Sequence, residues 1–105
     1  MTSKLKPVHP GEILADEFMA PLGLSQNRLA QALHVPVPRI GEILNRRRAI
    51  SSGTALQLAR YFGTTPEFWV NLQSQFDLDT VRRREEASVR REVKPLRASS
   101  AHPSA

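Results

Sequence analysis

Apolar positions along this chain recur at intervals of three and four residues. Ile13, Leu14 and Phe18 form one stripe, and Leu29, Ala30 and Leu33 a second. Ile40, Ile43 and Leu44 form a third, and Ala55, Leu58, Ala59 and Phe62 a fourth. Phe68, Trp69, Leu72 and Phe76 complete the set. A period of about 3.6 residues belongs to amphipathic helices. Val, Ile and Thr never alternate with polar residues over a strand's length, so the pattern predicts an all-α fold.

The punctuation between stripes sets the helix ends. Pro10-Gly11-Glu12 opens the first helix, with proline in the first turn and Glu12, Asp16 and Glu17 near its positive end. Pro21 and Gly23 are expected to stop it. Ser25 caps the second helix, and His34-Val35 makes a turn. The third helix starts among Pro36, Val37 and Pro38 and is expected to fray through Asn45 and the arginines that follow. Ser51 caps the fourth helix, which Gly63 ends. Thr65-Pro66-Glu67 starts the fifth with a hydroxyl cap, a first-turn proline and an early acid. Asp77 is expected to cap a further helix, LDTVRRREEASVRREV, ending at Lys94-Pro95. Its pairs Asp79/Arg83 and Glu86/Arg90 stand at i,i+4. The expected organisation is a compact five-helix domain over 1–78, a basic and acidic helical extension over 79–94, and a disordered tail over 95–105.

Two short helices joined by a tight turn suggest a helix-turn-helix, and side-chain size tests the idea. Counting from Gln26, the fifth residue is Ala30, small enough for a second helix to approach. The fourth, eighth and tenth are Leu29, Leu33 and Val35. The fifteenth and eighteenth, Ile40 and Ile43, close the wedge. The ninth residue, often a left-handed glycine, is His34, at a cost of order 1 kcal/mol. Pro36 and Pro38 fall where backbone N–H groups lack an intrahelical partner, so their missing hydrogens cost little.

First-turn residues of such a second helix point at base edges. Val37 and Pro38 offer apolar contact, as to a thymine methyl. Arg39, Glu42 and Asn45 can hydrogen-bond, with Arg39 to guanine the leading candidate. Glu42 could instead restrain Arg39 or accept from cytosine. Arg46, Arg47 and Arg48 can neutralise phosphates or complement the helix C-terminus. From Pro36 to Arg48 four arginines face one acid, Glu42, for a net +3. The preceding 35 residues balance Lys4, Lys6 and Arg28 against Glu12, Asp16 and Glu17.

Composition narrows the classes further. The 105 residues suit one domain, and a net charge of +5 with a pI of about 10.7 favours an anionic partner. Cysteine is absent, which removes disulfides and thiolate metal sites and is compatible with a cytoplasmic protein. His9, His34 and His102 stand far apart, with no metal-ligand spacing. No run of 18 apolar residues suggests a membrane span, and the start has no signal-peptide core. No Ser/His/Asp or Cys/His arrangement or phosphate-binding glycine loop suggests an enzyme, and no cofactor is expected.

The segments HPGEIL, PLGLSQNRLAQAL, VPRIGEILNRRRAIS and TALQLARYFGTTPEFWVNLQSQFDL together resemble the HigA-type antitoxins. These lie within the broader lambda-repressor-like (Xre) helix-turn-helix group. The resemblance runs from about His9 to Leu78. It implies a homodimer that binds palindromic double-stranded operator DNA and represses its own operon. It also implies a partner toxin similar to HigB, a RelE-like mRNA endoribonuclease. By the family motif, Gln26 and Asn27 would contact phosphate, while Arg39, Glu42 and Asn45 would face the groove.

Several roles stay open on sequence. Phe68, Trp69, Leu72 and Phe76 suit either a dimer surface or the monomer core. Glu12, Asp16 and Glu17 suit either a toxin-docking face or a solvated helix start. Arg82, Arg83, Arg84, Arg90 and Arg91 interleave with Glu85, Glu86 and Glu92, as on an exposed salt-bridged helix. His9 reads as a packing or capping group. A stand-alone transcription regulator without a toxin is the competing reading.

Overall fold

The computed structural model describes residues 6–96, and among them every regular element is a helix. Helix α1 comprises Pro10–Ile13, a wider π-helical stretch Leu14–Met19 and a last turn Ala20–Leu22. Then follow α2 (Gln26–Leu33), α3 (Val37–Leu44), α4 (Ser52–Phe62) and α5 (Pro66–Glu92). The first four helices and the first half of α5 enclose one core. Leu14, Leu29, Ile40, Ile43, Leu58 and Trp69 are completely shielded from solvent. All six belong to the five predicted stripes, with Ile40 and Ile43 sharing the third, so the periodicity located the buried faces correctly.

The caps follow local chemistry. Ser25, Ser51 and Thr65 each accept a backbone N–H from the residue three further on. Gly63 closes α4 in the left-handed region at φ 76°.

Three boundaries differ from the sequence reading. Pro21 does not stop α1, which continues to Leu22 and ends at Gly23 (φ 60°). The preceding turn is widened, so that Ala20 N–H bonds Ala15 O. This spacing relieves the clash between a proline ring and the earlier carbonyls. Asp77 does not start a new helix. No glycine or proline interrupts residues 67–92, and the Asp77 carboxylate accepts from Gln73 Nε2 at 2.9 Å within one unbroken α5. Finally, α3 does not fray through the arginines. It stops sharply, because Arg46 turns left-handed at φ 63°, and Arg47 N–H reaches back to Glu42 O at 2.8 Å.

At 27 residues α5 is about 40 Å long and sets the 55 Å long axis of the molecule. Beyond Thr80 its side chains are exposed, except half-buried Ser88. Arg82 pairs with Asp79 and Arg90 with Glu86 along the solvated surface. The expected 95–105 tail lies outside the described residues from position 97 onward.

Candidate nucleic-acid interface

The α2–turn–α3 unit is built by size. Ala30 is buried beneath α3, flanked by Leu29 and Leu33 from α2 and by Ile40 and Ile43 from α3. His34 occupies the turn at φ 61°, ψ 45°, and Val35 N–H closes the helix end onto Ala30 O at 3.0 Å. Pro36 is extended at the N-cap of α3, and Val37 and Pro38 occupy its first turn, as expected. Gln26, the first residue of α2, places its amide against Gly41 and donates to Val37 O at 3.4 Å. It therefore braces the first turn of α3 as well as standing at the start of α2.

At about 100° per residue, Pro38, Glu42 and Asn45 lie opposite the buried Ile40 and Ile43 and the half-buried Leu44, with Arg39 at the edge of that face. Pro38 and Asn45 are exposed, while Val37 and Arg39 are half-buried. Asn27 is exposed at the start of α2. The four arginines divide into two kinds. Arg46 Nε meets Glu12 Oε2 at 2.9 Å, and Arg48 Nε meets Glu42 Oε1 at 2.7 Å. Arg39 and Arg47 make no ion pair with any described residue. Glu42 thus pairs with Arg48, and not with Arg39, which was one of the two roles the sequence left open for it.

The end of α3 is fixed from below by α1. Gly11 packs directly against the carbonyl of Ile43, a contact no side chain could share. The positive end of α1 therefore meets the carbonyl end of α3. His9, 3% exposed, caps α1 by accepting Gly11 N–H on Nδ1 at 2.9 Å, and its ring edge meets Phe76 at 4.8 Å. Burial lowers the His9 pKa below 6.5, and Arg46 adds to that. Glu12 and Asp77 act in the opposite direction. From α5, Gln73 Oε1 accepts Ile50 N–H at 2.8 Å and anchors the segment after the arginines. The sequence reading did not find the Gly11 or Gln73 contacts. Proline-glycine after a capping histidine was a local signal for the first, and no local signal existed for the second.

The aromatic group on α5 is divided. Trp69 is core: it is shielded completely, its Nε1 donates to Thr64 Oγ1 at 2.8 Å, and Phe18 packs 4.9 Å away. Its assignment to a dimer surface is corrected on that ground. Leu72 and Phe76 are half-buried, and Phe68 is exposed. On α1, Asp16 and Glu17 are exposed on the widened turn, whereas Glu12 is occupied by Arg46. Among the described residues no group of three His, Cys, Asp or Glu could hold a metal. No described helix is long and apolar enough to cross a membrane.

A helix-turn-helix family model matches residues 17–69. Antitoxin HigA-1 of Vibrio cholerae is 38% identical over 96 residues, covering 90% of this chain and 88% of that protein. The chain belongs to the HigA family of helix-turn-helix antitoxins. Virulence-associated protein I of Dichelobacter nodosus is 47% identical over 76 residues, which are 72% of this chain and 70% of that one. The solved Pseudomonas aeruginosa antitoxin HigA with the higBA promoter superposes with a TM-score of 0.84. It is 42% identical and covers 86% of this chain and 98% of its own. The all-α, lambda-repressor-like architecture with its C-terminal helix is thus the HigA architecture. The V. cholerae and P. aeruginosa relatives are antitoxins rather than enzymes.

Proposed function

We propose that this HigA-family chain binds palindromic operator DNA as a homodimer through α2 and α3. In this reading it neutralises a HigB-like, RelE-type ribonuclease toxin by direct contact. The observation that carries the DNA reading is the α3 surface: Arg39 at its edge and Arg47 just past its end are cations without a carboxylate among the described residues. Pro38, Glu42 and Asn45 lie between them. That the P. aeruginosa antitoxin was solved with its promoter supports DNA binding by a chain of this fold. Gln26 and Asn27 at the start of α2 then meet phosphate, Val37 and Pro38 give apolar contact, Arg39 and Asn45 read bases, and Arg46 to Arg48 follow the backbone. Dimerisation falls to exposed Phe68 with Leu72 and Phe76, which share one face of α5. A two-fold dimer would place two α3 helices about one DNA turn apart, about 34–36 Å. Asp16 and Glu17 form the acidic face available to a basic toxin. The protein would act in the cytoplasm, without cofactor.

Fluorescence anisotropy on the native operator and on random duplexes tests the DNA reading. Arg47→Ala should weaken both alike and flatten the salt dependence. Equal, wild-type binding by Arg39→Ala and Arg47→Ala variants would place the interface elsewhere. Co-expression with the neighbouring genes, followed by nuclease-treated pull-down, tests the toxin. A stoichiometric small basic protein supports the antitoxin reading, and DNA alone leaves a stand-alone regulator.

A further inference from the structure

We propose that Glu42 is a positioning residue that holds Arg48 for a DNA phosphate and does not itself read a base. The inference rests on the DNA-binding reading above and divides the labour within that surface. Glu42 lies on the outward face of α3, where an unpaired carboxylate would be repelled by phosphates lining a groove. It is not unpaired. Its Oε1 accepts Arg48 Nε at 2.7 Å, a charge-assisted length. Its backbone carbonyl accepts Arg47 N–H at 2.8 Å. One residue therefore ties down the middle of the arginine run by its main chain and the end of that run by its side chain.

The pair has no structural need of its own, because both side chains are close to half exposed. Arg48 spends one of its guanidinium donors on Glu42 and keeps its Nη hydrogens for an acceptor of opposite charge. Arg46 repeats the device, with Glu12 on Nε. The loop thus presents two tethered arginines around one untethered Arg47. The Arg48 pair occupies Oε1 and offsets the carboxylate's charge, so only Oε2 is left for a base amino group, and the base-pair panel below tests whether it is used.

The test is a double-mutant cycle with Glu42→Ala, Glu42→Gln, Arg48→Ala and Glu42→Ala/Arg48→Ala. Binding is measured on the operator and on duplexes substituted at each base pair, across a salt series. Arg48→Ala should weaken operator and random DNA alike, by about 3- to 10-fold, and flatten the salt slope by about one. Glu42→Ala should also flatten the slope without relaxing any base pair, and the double variant should bind no worse than Arg48→Ala alone. Glu42→Gln, which keeps an acceptor for Nε, should recover part of the loss. Relaxed discrimination at one base pair per half-site with an unchanged salt slope would overturn the assignment, as would strictly additive losses. A wild-type protein that binds no duplex at any salt would overturn the DNA reading and this assignment together.

Discussion

Replacing Gly11 with alanine is the sharpest perturbation of the joint between α1 and α3. A methyl built there would overlap the Ile43 carbonyl oxygen by about 1 Å, with the carbonyl carbon at 3.0 Å and His9 Nδ1 at 3.1 Å. Those are backbone atoms and a buried cap, so no flexible side chain can swing aside. The helices must separate, and the capping His9 ring must also give by a few tenths of an ångström. Overpacking of this kind costs about 1–3 kcal/mol, and a backbone obstruction belongs at the upper end. Alanine returns up to about 1 kcal/mol in helix propensity, so a net loss of about 2 kcal/mol is expected. For a domain of this size that lowers Tm by about 8–16 °C. Thermal and urea unfolding followed by helical circular dichroism measures it. Gly53→Ala is the matched control, since a methyl there meets only Ser51 Oγ at 3.9 Å. It should leave stability equal or slightly raised. A Gly11→Ala protein within about 0.5 kcal/mol of wild type would refute the close approach of α1 to α3.

Four further outcomes are expected. The His9 pKa is lowered by burial, so its contribution is present above about pH 6.5 and is lost as pH falls through the folded value. Unfolding between pH 7.5 and 5.5 should therefore show a steeper loss for wild type than for His9→Asn, and equal slopes would refute it. Gln73→Leu leaves the buried Ile50 N–H without its acceptor and should cost about 1–3 kcal/mol in urea unfolding. His34→Gly relieves a left-handed side-chain residue and should stabilise by up to about 1 kcal/mol, checked by the unfolding midpoint. Arg39→Ala should cost about 1–3 kcal/mol on the operator and relax one base pair per half-site, checked by a substituted-duplex panel.

The inward faces of all five helices, the hydroxyl caps at Ser25, Ser51 and Thr65, and the left-handed His34 turn were legible along the chain. Each depends on residues within a few positions of one another, where helix geometry leaves one arrangement. The small Ala30 under Ile40 and Ile43 was legible for the same reason, because a fixed turn length brings those positions together. What lay beyond the sequence were contacts across long separations and choices between equal local signals. Gly11 against Ile43, Glu12 on Arg46 and Gln73 on Ile50 join residues far apart in the chain, and no periodicity encodes them. Trp69 carried the same helical spacing whether it faced its own core or a partner. The position of Phe18 and Thr64 around it decided for the core. Asp77 had the chemistry of a cap but no break before it, and a helix already propagating gains more from its next hydrogen bond than from a new start. Charge was legible as a sum, but its pairing was not. Only the packed α1 and the sharp end of α3 determine that two of the four arginines are tethered to carboxylates, while two have no carboxylate among the described residues.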